Sequence, residues 1–367
     1  MAENPLRILE VITPSHYSGA ERVLTYLSSE LRSLGHKVLV ITKPLPALEE
    51  ELARRGVPYR VLPLSGKYNW AAGRALQAEV RAFRPHIVHT HLSTATRWGT
   101  WAAHREGVPC AALVHGMTSP FWYRGADLLI GPSEGVREYL LSMRFPAEKV
   151  QVIYNGLNPA WFEGLPPPEG LRKELGLPAG ARVIGMVAHL APKKGHHVLL
   201  KALARLSGTY PRLHCLMLGK ETQRGRGRQL EALAHKLGLG DRVRFLGYRS
   251  DALALTQLFE VTVLPSVHKE GLGLVLLEAA FLGIPAVGSD TPGIREAVED
   301  SVTGLLAPRG DDAALAEALD RLLGDADLRR QMGQAARRRA REMFTLQAQA
   351  KATEAAFLHL LTTRKRG

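Results

Sequence analysis

Two glutamates, Glu270 and Glu278, stand in the stretch HKEGLGLVLLEAAFLGIP (residues 268–285) with seven residues between them, and Gly271 and Gly273 follow closely on the first. The preceding EVTVLPS reads as a strand ending near Leu264, and a helix is expected from around Gly271 to Gly273, with Gly283 and Pro285 as its stop. Glycines without β-carbons let a phosphate approach the backbone, and first-turn N–H groups with the helix dipole favour an anion there. Glu278 would lie roughly 7 to 8 Å along the axis from Gly273, the reach from a diphosphate to a ribose diol. Its carboxylate could accept hydrogen bonds from both hydroxyls. Glu270, on the other side of the phosphates, could hold hydroxyls of a sugar. Either glutamate alone could equally be a surface residue complementing the helix dipole.

Other clusters carry weaker chemistry. His89 and His91 in HTH, and His196 and His197 in GHH, invite a metal reading, but no convergent carboxylate or cysteine is evident in the sequence, and no metal is expected. The Asp325–Asp327 run DAD lies between two helical runs and reads as an N-cap. The two cysteines, Cys110 and Cys215, sit in apolar strand-like runs and read as buried thiols.

The elements that would position these residues alternate. LRILEVIT, the helix AERVLTYLSSELRSLG and HKVLVIT form a βαβ unit with Gly35 in the place of a helix C-cap, and short apolar runs separated by helices continue to VQVIYNG. Such runs imply a parallel sheet covered on both faces. Three consecutive prolines in EGLPPPEGLRKELGLPAG interrupt the rhythm and mark a linker, after which it restarts at RVIGMVAHL. The 367 residues therefore divide into an N-terminal Rossmann-like domain over 1–165, a second over 166–343, and a closing helix over 344–367. Ligands of open parallel sheets sit beyond the carboxyl ends of the strands, so two such domains facing each other would place a site in the cleft between them.

The formal net charge is +13, yet residues 1–165 hold 18 Lys/Arg against 14 Asp/Glu with no dense cluster. The clearest basic runs are RRQMGQAARRRARE and the tail TRKRG. No zinc spacing, aromatic RNA-binding signature or helix-turn-helix pattern accompanies the charge, so nucleic acid is not an expected partner, and an anionic membrane surface fits better. No run approaches the roughly 18 to 20 apolar residues of a membrane span. ILEVI, interrupted by Glu10, is too short for an export signal and reads as a buried strand, so a cytoplasmic protein, peripheral at most on the inner face of the membrane, is expected.

With Glu-x7-Glu, further segments occur in a characteristic order: SGAERVLTYLSSELRSLGHKVLVIT, PHIVHTH, LVHG, VIYNGLN, VAHLAPKKGHHVLLKALARL and VRFLGY. Together they resemble the retaining glycosyltransferases of the two-Rossmann GT-B fold, in particular glycosyltransferase family 4, over nearly the whole chain. The resemblance implies that Lys194 contacts the donor diphosphate, that Glu270 holds the transferred sugar and that Glu278 holds the ribose. Backbone N–H groups at Gly271, Leu272 and Gly273 would hold phosphate. His115 falls at a position close to the donor sugar, and Ser18 and Gly19 stand where a Gly-Gly pair is common. The family's usual arginine in GRL is replaced by His189. Either Lys193, Arg224 or another basic group compensates, or diphosphate binding is weaker and pH-dependent.

By the same resemblance the activity would be transfer of a sugar, with retention, from a nucleotide-diphosphate sugar to a glycan or lipid-linked acceptor in bacterial envelope polysaccharide or lipopolysaccharide synthesis. UDP is the expected carrier and no metal is expected. The leaving diphosphate would assist deprotonation of the acceptor. A nucleotide-sugar 2-epimerase or hydrolase of the same fold, and a non-catalytic nucleotide-sugar-binding assembly protein, are the alternatives. The loop MTSPFWYRG (residues 117–125) suits a sugar or lipid-linked acceptor, or is simply a packed loop.

Overall fold

The computed structural model describes residues 5–117 and 119–364. Thr118 in the aromatic loop and residues 365–367 of the basic tail lie outside the described residues. The chain forms two compact units, residues 1–157 with 344–367, and residues 158–343.

The first unit runs β1 (Arg7–Ile12), α1 (Gly19–Ser33), β2 (Lys37–Thr42), α2 (Pro46–Arg54), β3 (Tyr59–Val61), α3 (Trp70–Phe83), β4 (Ile87–His91), α4 (Ser93–Arg105), β5 (Cys110–Leu113), β6 (Leu128–Gly131), α5 (Glu134–Ser142) and β7 (Val150–Val152). The parallel sheet has the order β3-β2-β1-β4-β5-β6-β7, so the chain reverses direction between β1 and β4. Side chains alternate across the pleat: Leu9, Val11 and Val88 bury against α3 and α4 around Trp98, while Glu10, His89 and His91 point to the other face.

The second unit runs α6 (Pro168–Glu174), β8 (Arg182–Val187), α7 (His196–Leu206), β9 (Leu213–Leu218), α8 (Arg226–Lys236), β10 (Val243–Gly247), α9 (Ala252–Thr256), β11 (Val261–Leu264), α10 (Leu274–Phe281), β12 (Ala286–Ser289), α11 (Pro292–Ala297), β13 (Gly304–Ala307), α12 (Asp312–Gly324) and α13 (Ala326–Met343). Its parallel sheet has the order β10-β9-β8-β11-β12-β13, reversing between β8 and β11. The last helix, α14 (Leu346–Arg364), belongs to the first unit, where Glu354 meets His36 at 3.2 Å.

The division between the units falls at 157/158 rather than 165/166, and the proline stretch is not a bare linker. Pro168 opens α6, where a proline costs no helical hydrogen bond. Leu165, Leu171, Leu175 and Leu177 then pack into the core of the second unit. The segments at the division are bound within the first unit: Leu157 and Leu346 exchange backbone bonds with Phe344 and Leu157, and Gln349 Oε1 accepts the Gly156 N–H at 2.8 Å. A β-carbon on Gly156 would lie 2.2 Å from the Thr345 carbonyl oxygen, so glycine is required there.

Cys110 and Cys215 are free and buried, one in each unit, and burial pushes the Cys110 thiol up to about 12. Asp325 caps α13 by accepting the Leu328 N–H at 2.9 Å, as the DAD run implies.

Candidate active site

In the second unit the loops after β8 and β11 meet where the sheet reverses, the place at which open α/β sheets bind ligands. The Val267 N–H donates to the Lys193 carbonyl at 2.9 Å. Gly195, at φ 75°, approaches so closely that a β-carbon would sit 1.8 Å from the Pro265 carbonyl oxygen. This junction fixes Lys194, whose Nζ donates to both carboxylate oxygens of Glu270 at 2.8 and 3.0 Å. The Ser266 hydroxyl donates to Glu270 Oε1 at 2.5 Å. The side chains of Lys194 and Glu270 are 19% and 15% exposed, so the pair is screened less than a surface ion pair.

α10 begins at Leu274, one residue beyond the expected start, because Gly273 takes a left-handed conformation (φ 84°, ψ 66°) that ends the loop. Gly271, Leu272 and Gly273 therefore form the turn leading into the helix, with Leu272 buried beneath it, and Glu278 is a buried residue of α10. From behind, α11 presses on this loop: a β-carbon on Gly293 would lie 2.3 Å from the Glu270 carbonyl oxygen. His189 is half-buried in the loop after β8. Its neighbour Leu190 donates to the Lys220 carbonyl at 3.0 Å and so joins this loop to the one after β9.

Lys193 and Arg224, the candidates to replace the missing arginine, are both exposed. Arg226, the first residue of α8, is half-buried and acts on the start of α7: burial and then the Arg226 charge push His196 down to about 4. Sequence reasoning missed Ser266, Gly293 and Arg226, none of which stands out in type or spacing.

The first unit assembles a second group of polar residues, also where its sheet reverses. The parallel register sets Glu10 beside His89. Glu10 Oε2 lies 2.9 Å from His89 Nδ1 and 2.8 Å from His91 Nε2, and His91 Nδ1 lies 2.9 Å from His115 Nε2. Glu10, His89 and His91 are fully buried, whereas His115, just past β5, is half-buried. Burial raises the Glu10 carboxyl, but the His89 charge and the hydrogen bonds of both histidines outweigh it and bring it down to about 2. Burial lowers His91, and burial together with the neighbouring His91 and His89 holds His115 well below its ordinary value.

The carboxylate absent from the sequence reading of HTH is thus Glu10, and the three residues are spaced closely enough to ligate a metal. Their mutual hydrogen bonds already satisfy the carboxylate without one. The available signal was the single charge in ILEVI. Gly19 opens α1 in the loop after β1, and Glu21 accepts from the Ser18 N–H and hydroxyl at 2.9 and 2.7 Å.

Two doubly wound parallel sheets, each with polar residues gathered where the strand order reverses, define a protein of the two-domain GT-B type. Residues 17–161 match the family described as Glycosyltransferase Family 4, and residues 169–339 match Glycosyl transferases group 1. The chain belongs to glycosyltransferase family 4. It is 40% identical over 167 residues to D-inositol 3-phosphate glycosyltransferase of Corynebacterium urealyticum, covering 44% of this chain and 39% of that one. It is 30% identical over 244 residues to the lipopolysaccharide core biosynthesis glycosyltransferase LpsE of Rhizobium meliloti, covering 66% of each. The matches to three D-inositol 3-phosphate glycosyltransferases span 39%, 48% and 61% of those relatives' lengths. In fold the chain is similar to Anabaena HepE solved with UDP and glucose: TM-score 0.87 at 24% identity, over 96% of this chain and all of that one.

Proposed function

We propose that the protein is a retaining glycosyltransferase that moves a sugar from a UDP-sugar to a glycan or lipid-linked acceptor in bacterial envelope polysaccharide or lipopolysaccharide synthesis. The observation that carries this reading is the junction in the second unit, where Lys194 and Glu270 pair beside the glycine turn that opens α10. Lys194 supplies a mobile positive charge to the diphosphate oxygens, which gain charge as the glycosidic bond breaks. The N–H groups of Gly271, Leu272 and Gly273 bind phosphate at the helix start, and Glu278 accepts from the ribose hydroxyls. Glu270 holds hydroxyls of the transferred sugar and keeps Lys194 oriented. Arg226 stands in for the arginine that His189 replaces. His115 contacts a hydroxyl of the donor sugar, as the family resemblance implies, and the leaving diphosphate takes the acceptor's proton. No metal is required when Lys194 and the helix start neutralise the diphosphate, so turnover persists in EDTA.

The acceptor side of this reading draws on an aromatic and basic patch of the first unit. Tyr68, Trp70 and Phe121 are exposed, with Lys67 and Arg97 over the rings of Trp122 and Trp70 at 4.9 and 5.5 Å. Such a patch suits the interface of an anionic bilayer. No helix among the described residues is long and apolar enough to cross a membrane.

Calorimetric titration of UDP, GDP, ADP and CMP into wild type and Glu278→Ala tests the donor site. UDP binding in the micromolar range that is lost in the variant supports the reading; no binding by any nucleotide removes it. The anomeric configuration of the product, read by NMR, tests retention, and co-sedimentation with phosphatidylglycerol vesicles tests the membrane contact.

A further inference from the structure

The first unit contains a linear array of groups, of which the donor chemistry uses only the last, running from the buried pair His89 and Glu10 through His91 to His115. An ionised carboxylate can only accept hydrogen bonds, so Glu10 requires a proton on His91 Nε2, 2.8 Å away. A neutral imidazole with its proton on Nε2 has a bare Nδ1. His91 Nδ1 therefore accepts from His115 Nε2–H at 2.9 Å. His115 is left with a bare Nδ1, for which no protein partner exists among the described residues, on a half-buried ring.

We propose that Glu10 and His91 are positioning residues that hold His115 in the Nε2–H tautomer, so that its Nδ1 presents a lone pair to a substrate hydroxyl. The array deepens the proposed function and rests on it for the identity of the hydroxyl's owner, the transferred sugar; the tautomer itself does not depend on that reading. A lone pair selects a ligand hydroxyl and rejects an ether or a deoxy position, whereas the opposite tautomer would present an N–H. The surroundings support one tautomer. Burial, with His91 and His89 beside it, holds His115 well below its ordinary value, and burial lowers His91 although Glu10 acts to raise it, so both rings are kept in the neutral form that the array requires. Phe357 of α14 closes the far end, its ring 5.2 Å from that of His89, which keeps water from offering Glu10 other donors.

The test is the ring-nitrogen spectrum of 15N-histidine-labelled protein, with His115 assigned by its absence in His115→Gln. In wild type, His115 is expected to show a pyridine-type Nδ1 and a protonated Nε2. In Glu10→Gln the new amide can donate to His91 Nε2, which moves the His91 proton to Nδ1 and the His115 proton to its own Nδ1. His91→Phe, which removes the acceptor altogether, releases the same constraint if Glu10→Gln does not fold. A protonated Nδ1 in wild type, or a His115 tautomer unchanged in a folded variant, would overturn the proposal. So would one equivalent of zinc in the purified protein, because a metal on Glu10, His89 and His91 would replace their mutual hydrogen bonds.

Turnover of UDP-glucose provides the functional arm. Glu10→Gln is expected to lower kcat by roughly 10²-fold while leaving KM nearly unchanged. His115→Asn, whose amide oxygen can take the place of Nδ1, should retain more turnover than His115→Leu. Adding Glu10→Gln to His115→Leu should then cost almost nothing more, and additive losses would count against the array. Failure of UDP to bind wild type would remove the proposed function yet leave the tautomer to be decided by the spectrum.

Discussion

The two sites sit at equivalent places, each where a parallel sheet reverses its strand order, yet they are built differently. In the second unit the charged groups lie on loops beyond the strands, are partly open, and satisfy one another as a lysine–glutamate pair with a serine beside it. In the first unit the charged group lies inside a strand, is fully buried, and is satisfied by two histidines of the neighbouring strand. The loop site can exchange its internal partners for a ligand at modest cost. Inside the sheet the partners cannot be exchanged, so that arrangement can act on a ligand only through its half-buried end, His115.

The largest expected effect falls on the loop site. Lys194→Ala should lower sugar transfer on the order of 10³-fold, as loss of a transition-state charge partner does, with thermal stability little changed. Steady-state kinetics with UDP-glucose beside a melting curve check both halves. A large loss of stability would mean that the pair holds the loops together rather than serving the donor.

Glu10→Leu reverses the pattern. It strands two buried imidazole N–H groups, and breaking a buried charged pair on one side costs about 3 kcal/mol. Denaturant unfolding should record that loss, while UDP affinity, a property assigned to the second unit, stays within about twofold of wild type. Were UDP binding lost with the fold intact, the two sites would not be separable.

The buried site should also make stability depend on pH. A histidine held below its ordinary 6.5, as His91 and His115 are, binds fewer protons folded than unfolded, so its contribution is present above pH 6.5 and is lost as the pH falls below it. Glu10, at about 2 against an ordinary 4.5, adds stability above 4.5 that disappears as the pH falls toward 2. Both act in the same direction. The second unit shares the first effect through His196, His197 and His214, all lowered chiefly by burial, so the histidine window does not distinguish the units. The acidic range is shared as well, since the hydrogen bonds of Arg249 and Arg295 hold Asp251 and Asp290 of the second unit below their ordinary values, so only substitution isolates the buried site: Glu10→Gln should flatten part of the loss of stability below about pH 4.5, measured by denaturant unfolding.

The same contrast explains what could be read from the sequence. The short apolar strands and the helices between them were visible as local runs. So was Glu-x7-Glu, because one loop and one helix carry both residues and the glycines between them. Three helices escaped, the five-residue α9 because it is too short to show a period. α2 begins at Pro46 and α6 at Pro168, and proline reads as a break although it is favoured in a first helical turn. The array in the first unit escaped for a different reason: Glu10 and His89 are 79 positions apart and meet only through the register of β1 against β4. A lone glutamate in an otherwise apolar strand was its one trace, and a buried charge demands a partner that the sequence does not name.

The smallest effect sharpens the comparison most, because it asks whether Glu270 is tuned as Glu10 is. Ser266 donates to Glu270 Oε1 while Lys194 donates to both oxygens, so the carboxylate has one neutral and one charged partner. Ser266→Ala removes the neutral one. On a partly open loop, water can take the vacated place, and the loss should be about tenfold in kcat/KM, near the lower end for a hydrogen bond to a charged group. The corresponding deletion at Glu10 has no water to replace it. If Ser266→Ala costs as much as Lys194→Ala, Glu270 is held as rigidly as Glu10, and the Lys194–Glu270 pair does not open for a ligand. If it costs nothing, Lys194 alone orients Glu270, and the loop site owes its geometry to the Gly195–Pro265 and Gly293–Glu270 backbone contacts beneath it.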